Sequence, residues 1–99
     1  MILGVSGWEL VAEKKECSGS EIEKGKQSSL EDCAEQCGGM ASMFLFGTND
    51  YGTIRCNDDG CVCLCETGAA TDGSCDQNGH NGYRLYKYVS KGNIFVYYY

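Results

Sequence analysis

The sequence predicts an α+β domain stapled by disulfides. Three observations point to it: eight cysteines among 99 residues, a single amphipathic helical stretch, and several short runs with the two-residue period of strands. The cysteine number is even, at a density that marks disulfide scaffolds in short chains. Such scaffolds belong to oxidising compartments, so a secreted, extracellular location is expected.

A chain of this length without proline reads as one domain, 1–99, and no run of eighteen apolar residues announces a membrane span. The opening "MILGVSG" is too short and too uncharged for an intact secretory signal, so the address is inferred from the cysteines. Net charge is −6; residues 83–99 contribute +3 through Arg84, Lys87 and Lys91, and residues 1–82 carry −9. No basic field of the size that grips nucleic acid is present, and DNA or RNA is not an expected partner.

Taken in order, "GWELVA" alternates: Trp8, Leu10 and Ala12 share one side of a strand, Glu9 and Val11 the other. "EKKECSGSEIEKGK" is charged and punctuated by glycine and reads as loop, with a short strand at 21–23. In "SSLEDCAEQCGG", Leu30, Cys33, Ala34 and Cys37 fall at i, i+3, i+4 and i+7, the apolar stripe of an amphipathic helix of about three turns. Ser28 and Glu31 have the spacing of a capping box, Glu31 and Asp32 suit the positive end of the dipole, and Gly38-Gly39 stops the helix. "SMFLF" (42–46) is apolar on both faces, as a central strand is, and "YGTIRC" (51–56) is expected to pair with it. "NDDG" then turns the chain into "CVCLCE", whose alternation puts Cys61, Cys63 and Cys65 on one face and Val62 and Leu64 on the other. A long polar loop, 67–81, precedes "YRLYKYV", which forms a tyrosine-rich hairpin with "IFVYYY".

The cysteine spacing carries a pairing argument. Cys33 and Cys37 are separated by about 6 Å along a helix, and alternate cysteines of a strand by about 6.6 Å. A helix lying across "CVCLC" presents two sulfurs to two sulfurs within the Cα separation of roughly 4.4–6.8 Å that a bridge needs. Eight cysteines allow roughly a hundred connectivities, so individual partners stay open. Zinc is the poorer explanation, because structural zinc draws thiolates from C-x-x-C knuckles and C-x-C in an extended strand splays them. No C-x-x-C redox pair occurs, and the one histidine, His80, sits in a polar loop without an evident nucleophile partner. No cofactor, metal or enzymatic activity is expected.

The ordered set "GWELV", a first cysteine, "SSLEDCAEQC", "MFLFG", "RC", "CVCLC" and "GYRLYKY" resembles a PAN/apple domain, in particular its invertebrate extracellular versions, over residues 7–88. The resemblance implies a curved antiparallel sheet of about five to seven strands cradling one helix. It implies that Cys33 and Cys37 are bridged to the strands carrying Cys56 and Cys63. Cys17, Cys61, Cys65 and Cys75 exceed the four-cysteine core of that family. Its members are non-enzymatic modules that bind proteins or carbohydrates, with no fixed binding residues to carry over.

Two functions follow as expectations. One is recognition or adhesion toward an extracellular protein or glycan, through the loop 67–81 together with Arg84, Tyr86 and Tyr88, residue types that anchor interfaces and stack on sugars. The other is a structural subunit of an extracellular filament or matrix. The run Ile94, Phe95, Val96, Tyr97, Tyr98 and Tyr99 is uncharged and β-prone, and such a strand completes its own sheet or adds to a second copy. Calcium binding at "NDDG" or "DGSCDQNG" is a lesser alternative, since both stretches read more simply as turns.

Overall fold

The computed structural model describes residues 6–90. The order is β1 (Ser6–Cys17), β2 (Ile22–Gln27), α1 (Leu30–Cys37), β3 (Met43–Gly47), β4 (Cys56–Asn57), β5 (Gly60–Cys65) and β6 (Gln77–Ser90). Among the described residues all strands join one antiparallel sheet in the order β1-β6-β3-β5-β2, with β4 paired to β5. The α+β class is as the patterning predicts: a small, disulfide-rich domain of six strands and one helix.

The helix is shorter than expected, eight residues, or about two turns. Its N-cap is Ser29, not Ser28: the Ser29 hydroxyl accepts from the Asp32 N–H at 3.0 Å, while the Ser28 hydroxyl donates to the Asp32 carboxylate at 2.7 Å. Two adjacent serines both fit the sequence signature, and the extended backbone of Ser29 (φ −151°) selects it. Gly38 closes the last turn, its N–H donating to the Ala34 carbonyl.

β3 lies between β6 and β5, where an all-apolar strand belongs because both of its faces are covered. On one face Phe44 packs with Cys33, Ala34, Cys37, Cys63 and Cys65, so the helix is seated there. On the other, Met43 and Leu45 pack with Cys17, Leu64, Tyr83 and Leu85. The sheet thus separates two small cores, one under α1 and one under the Cys17–Cys75 bridge.

All eight cysteines are paired: Cys17–Cys75, Cys33–Cys63, Cys37–Cys65 and Cys56–Cys61. The helix presents two sulfurs to β5, as the spacing argument requires, with Cα separations of 5.5 and 5.2 Å. The pairing implied by the resemblance is corrected on one point. Cys56 does not reach the helix; it bridges to Cys61 across the β4–β5 rung, 4.0 Å away between Cα atoms. Both helix bridges therefore end on the same strand.

Four further expectations change. Residues 51–55 form no strand, because Asn49 Oδ1 accepts from both the Arg55 and Cys56 N–H groups (2.7 and 2.8 Å), which diverts those donors from a ladder, and Gly52 turns the chain at φ 94°. β1 runs on to Cys17 instead of ending near Ala12, and β2 is longer than the short strand expected. β6 begins inside the polar loop, at Gln77, since Lys15, Glu16 and Cys17 pair with Gly79, Asn78 and Gln77. The candidate assembly strand, residues 94–99, lies outside the described residues.

Candidate functional surface

Arg84, Tyr86 and Tyr88 alternate along β6, but they do not form one exposed patch. Tyr86 stacks on Phe44 (centroids 5.3 Å, interplanar 15°), and Tyr88 tilts onto the same ring at 5.1 Å. The Tyr88 hydroxyl donates to the Ala34 carbonyl. Both tyrosines are half-buried under the helix, and burial raises their pKa values, that of Tyr88 to about 12. Their work is packing and fastening α1 to the sheet, a use that alternation alone does not distinguish from ligand contact.

Arg84 is different. Its Nη2 meets the Asp50 carboxylate at 2.5 Å, its Nε donates to the Tyr51 hydroxyl at 3.1 Å, and its guanidinium carbon lies 5.3 Å from the Tyr51 ring centre. The hydrogen bond from Arg84 holds the Asp50 carboxyl below its ordinary range, and Asp50 in turn raises the Arg84 pKa. The Tyr51 hydroxyl donates to Glu13, which raises the Tyr51 pKa. Lys14 Nζ stands 5.3 Å from the same ring.

Lys14 reaches that place because β1 bulges between Glu13 and Lys15, and Lys14 takes φ 61°, the left-handed region that side chains rarely enter. Strained residues of this kind cost on the order of 1 kcal/mol and mark positions the surrounding structure determines. The result is a charged and aromatic surface, Glu13, Lys14, Asp50, Tyr51 and Arg84, assembled from three separate segments. Only Arg84 was legible as a candidate; the others meet through the bulge and the loop 48–55, and no local pattern announces either.

The same loop has a second side. Arg55 lies across Gly47 and Gly82, where an added Cβ on either glycine would come within 2.8 and 2.9 Å of its stem. From there its Nε donates to the Tyr83 hydroxyl at 3.3 Å and its guanidinium sits 5.5 Å from the Tyr83 ring. His80, on a strand and not in a loop, packs on Tyr83 at 4.7 Å while its Nδ1 accepts from the Gly82 N–H.

Of the lesser candidates, "NDDG" is the turn between β4 and β5, with Asn57 Oδ1 accepting from the Asp59 N–H. In "DGSCDQNG", Ser74 donates to Asp72, and the Asp76 carbonyl accepts from the Ser18 N–H. The sulfurs of Cys33, Cys37 and Cys63 gather closely enough for a metal, but each is oxidised in a bridge and is no thiolate ligand.

Glu66 is fully buried. Its Oε2 accepts from the Cys17 N–H at 2.9 Å, and its Oε1 has no partner. Burial, reinforced by the Glu21 and Glu16 charges, raises its pKa to about 7. The signal was in the alternation: Val62, Leu64 and Glu66 share a face, which sends a carboxyl into the second core.

Among the described residues no helix is long and apolar enough to cross a membrane. No protein-family profile, no curated protein and no solved structure matches the chain.

Proposed function

We propose that the chain is a non-enzymatic extracellular module of the PAN/apple type, a curved sheet cradling its helix, that recognises protein or carbohydrate. The observation that carries this reading is the surface around Tyr51. It combines an aromatic ring, two cations and two carboxylates, with the Tyr51 hydroxyl hydrogen-bonded to Glu13 and Arg84 and Arg84 paired to Asp50, so those four side chains have less freedom to lose when a ligand binds. Four bridges in so small a domain suit life in an oxidising exterior.

Binding of the native, oxidised chain to a glycan array, alongside pull-downs from extracellular extracts, tests it. A ligand retained by the parent and lost by Tyr51→Ala or Arg84→Ala is the expected result. A blank array together with empty pull-downs overturns the reading.

A second reading is favoured by one observation. Ser6 pairs with Ser90, so the chain leaves β6 beside β1, an edge strand among the described residues. An edge strand that close to the end of β6 suits a structural subunit that assembles by strand addition into a filament or matrix.

A further inference from the structure

We propose that the Cys56–Cys61 bridge is a thiol-exchange site: a low-molecular-weight thiol opens it while the domain stays folded, and its opening slackens the loop 48–55 that carries Tyr51. This chemistry is independent of which ligand the surface around Tyr51 takes. Thiol–disulfide exchange needs an approach to one sulfur and a stabilised thiolate on the other. The four bridges differ in both respects. Cys33, Cys37, Cys63 and Cys65 are fully buried, so the two helix bridges are closed to a nucleophile. Cys75 is half-buried, but its partner Cys17 is buried, with its Sγ 3.7 Å from the Met43 sulfur and its backbone N–H on the buried Glu66 carboxyl. Attack at Cys75 expels a thiolate into an apolar core beside a carboxyl, which raises the pKa of the leaving thiol and slows its departure. Only in Cys56–Cys61 are both partners half-buried instead of buried, so entry and departure both take place at the solvent.

The attacking thiolate bonds to one of these two sulfurs as the S–S bond breaks; the other sulfur leaves with the electron pair and takes a proton from water. A second thiol displaces the first. Two small thiols are thereby oxidised to one disulfide, and the protein is left with two S–H groups. The two cysteines are only five positions apart, so this bridge constrains the unfolded chain least and its opening leaves the domain folded. The Asn57–Gly60 rung and the Val62 N–H, which donates to the Arg55 carbonyl at 3.0 Å, keep the cysteines near each other. A small-molecule disulfide therefore closes the bridge again.

The loop registers the change through Asn49. Its Oδ1 accepts from the Arg55 and Cys56 N–H groups at 2.7 and 2.8 Å, and its Nδ2 donates to the Cys56 carbonyl at 3.1 Å. One end of the loop is thus clamped on Cys56 itself. β4 is two residues long, and the bridge is its covalent hold on β5. With that hold released, the clamp loosens, and with it the placement of Tyr51 between Glu13 and Arg84.

The test is a time course of the oxidised chain with reduced glutathione at mildly alkaline pH, quenched by acid, alkylated and mapped by mass spectrometry, with parallel NMR spectra. Cys56 and Cys61 should be alkylated about tenfold or more faster than any other cysteine. Signals of the helix and of β3 should stay in place while those of Asn49 and Tyr51 move, and oxidised glutathione should restore the starting spectrum. A chain carrying both Cys56→Ser and Cys61→Ser should show the moved signals without any thiol. Another bridge opening first, all four opening together, a double variant that does not fold, or Asn49 and Tyr51 signals that stay put once the bridge is open would each overturn the proposal.

Discussion

Glu66 places a carboxyl in an apolar core with one of its oxygens unpaired, and that makes it the residue most responsive to pH. Its pKa rises from 4.5 to about 7, so the folded state holds the proton more tightly than the unfolded chain. The stabilisation is fully present below pH 4.5, declines as pH rises, and is lost above about 7; the swing is at most about 3 kcal/mol. Glu66→Gln mimics the protonated form and should flatten this dependence, leaving the variant more stable than the parent at pH 8. Denaturant melts at pH 5, 6, 7 and 8 check it, and parallel curves for the two proteins sink the idea. A second residue-scale expectation concerns Tyr88. Removing its hydroxyl takes away one of two donors to the carbonyl of the buried Ala34, which keeps the Gly38 N–H, so Tyr88→Phe should cost about 1 kcal/mol without altering any surface contact. The alternation of β5 and β6 made the facing of these residues legible. The partners were not, since Glu66 and Cys17 lie 49 positions apart and Tyr88 and Ala34 lie 54 apart.

The helix has only eight residues and no basic group in its last turn, and isolated helices of such length do not persist in water. Its persistence here depends on what fastens it. Cys33–Cys63 and Cys37–Cys65 close loops of 30 and 28 residues, worth roughly 3–4 kcal/mol each by chain entropy, whereas Cys56–Cys61, five apart, is worth about 2. Double replacement of Cys33 and Cys63 by alanine should therefore lower stability more than the same change at Cys56 and Cys61, as read by thermal melts. The turn that feeds β5 is sensitive in another way. Gly60 sits at φ 117° with the Gln27 carbonyl only 2.2 Å from where a Cβ would be. Gly60→Ala forces β2 away from β5, and chemical denaturation should report a loss of at least about 1–2 kcal/mol. At this scale the helix, the central strand and the two-to-two bridging were legible, because each depends on periodicity. The expected strand over 51–56 failed since an asparagine side chain took its backbone donors, and the start of β6 was missed because pairing with distant β1 overrides a polar, glycine-rich stretch.

For the molecule as a whole, a sheet with a core on each face has few free surfaces apart from its rims and loops. The loop 48–55 answers to that constraint, turning Tyr51 toward Glu13 of β1 and laying Arg55 over Gly47 of β3 and onto Tyr83 of β6. Recognition and assembly make opposite demands on the rest. Truncation after residue 93 separates them: a chain that assembles through 94–99 should become a smaller particle in light scattering or sedimentation, while a free-standing binder should keep its size and its ligand. Class, disulfide richness and the double bridging of helix to strand could be read from the sequence because they follow from composition and spacing, whereas the pairs Cys17–Cys75 and Cys56–Cys61 could not. The surface around Tyr51 could not, since it exists only after three remote segments meet.

The Ser6–Ser90 rung also has a consequence for how the unit can be reused. Entry and exit of the described residues stand side by side, so the unit 6–90 can be spliced into a loop of a host protein, or threaded in series, without pulling its own strands apart. Joining residues 6 and 90 by a short flexible linker and reopening the backbone at the exposed turn 58–59 should yield a circular permutant that oxidises to the same four pairs.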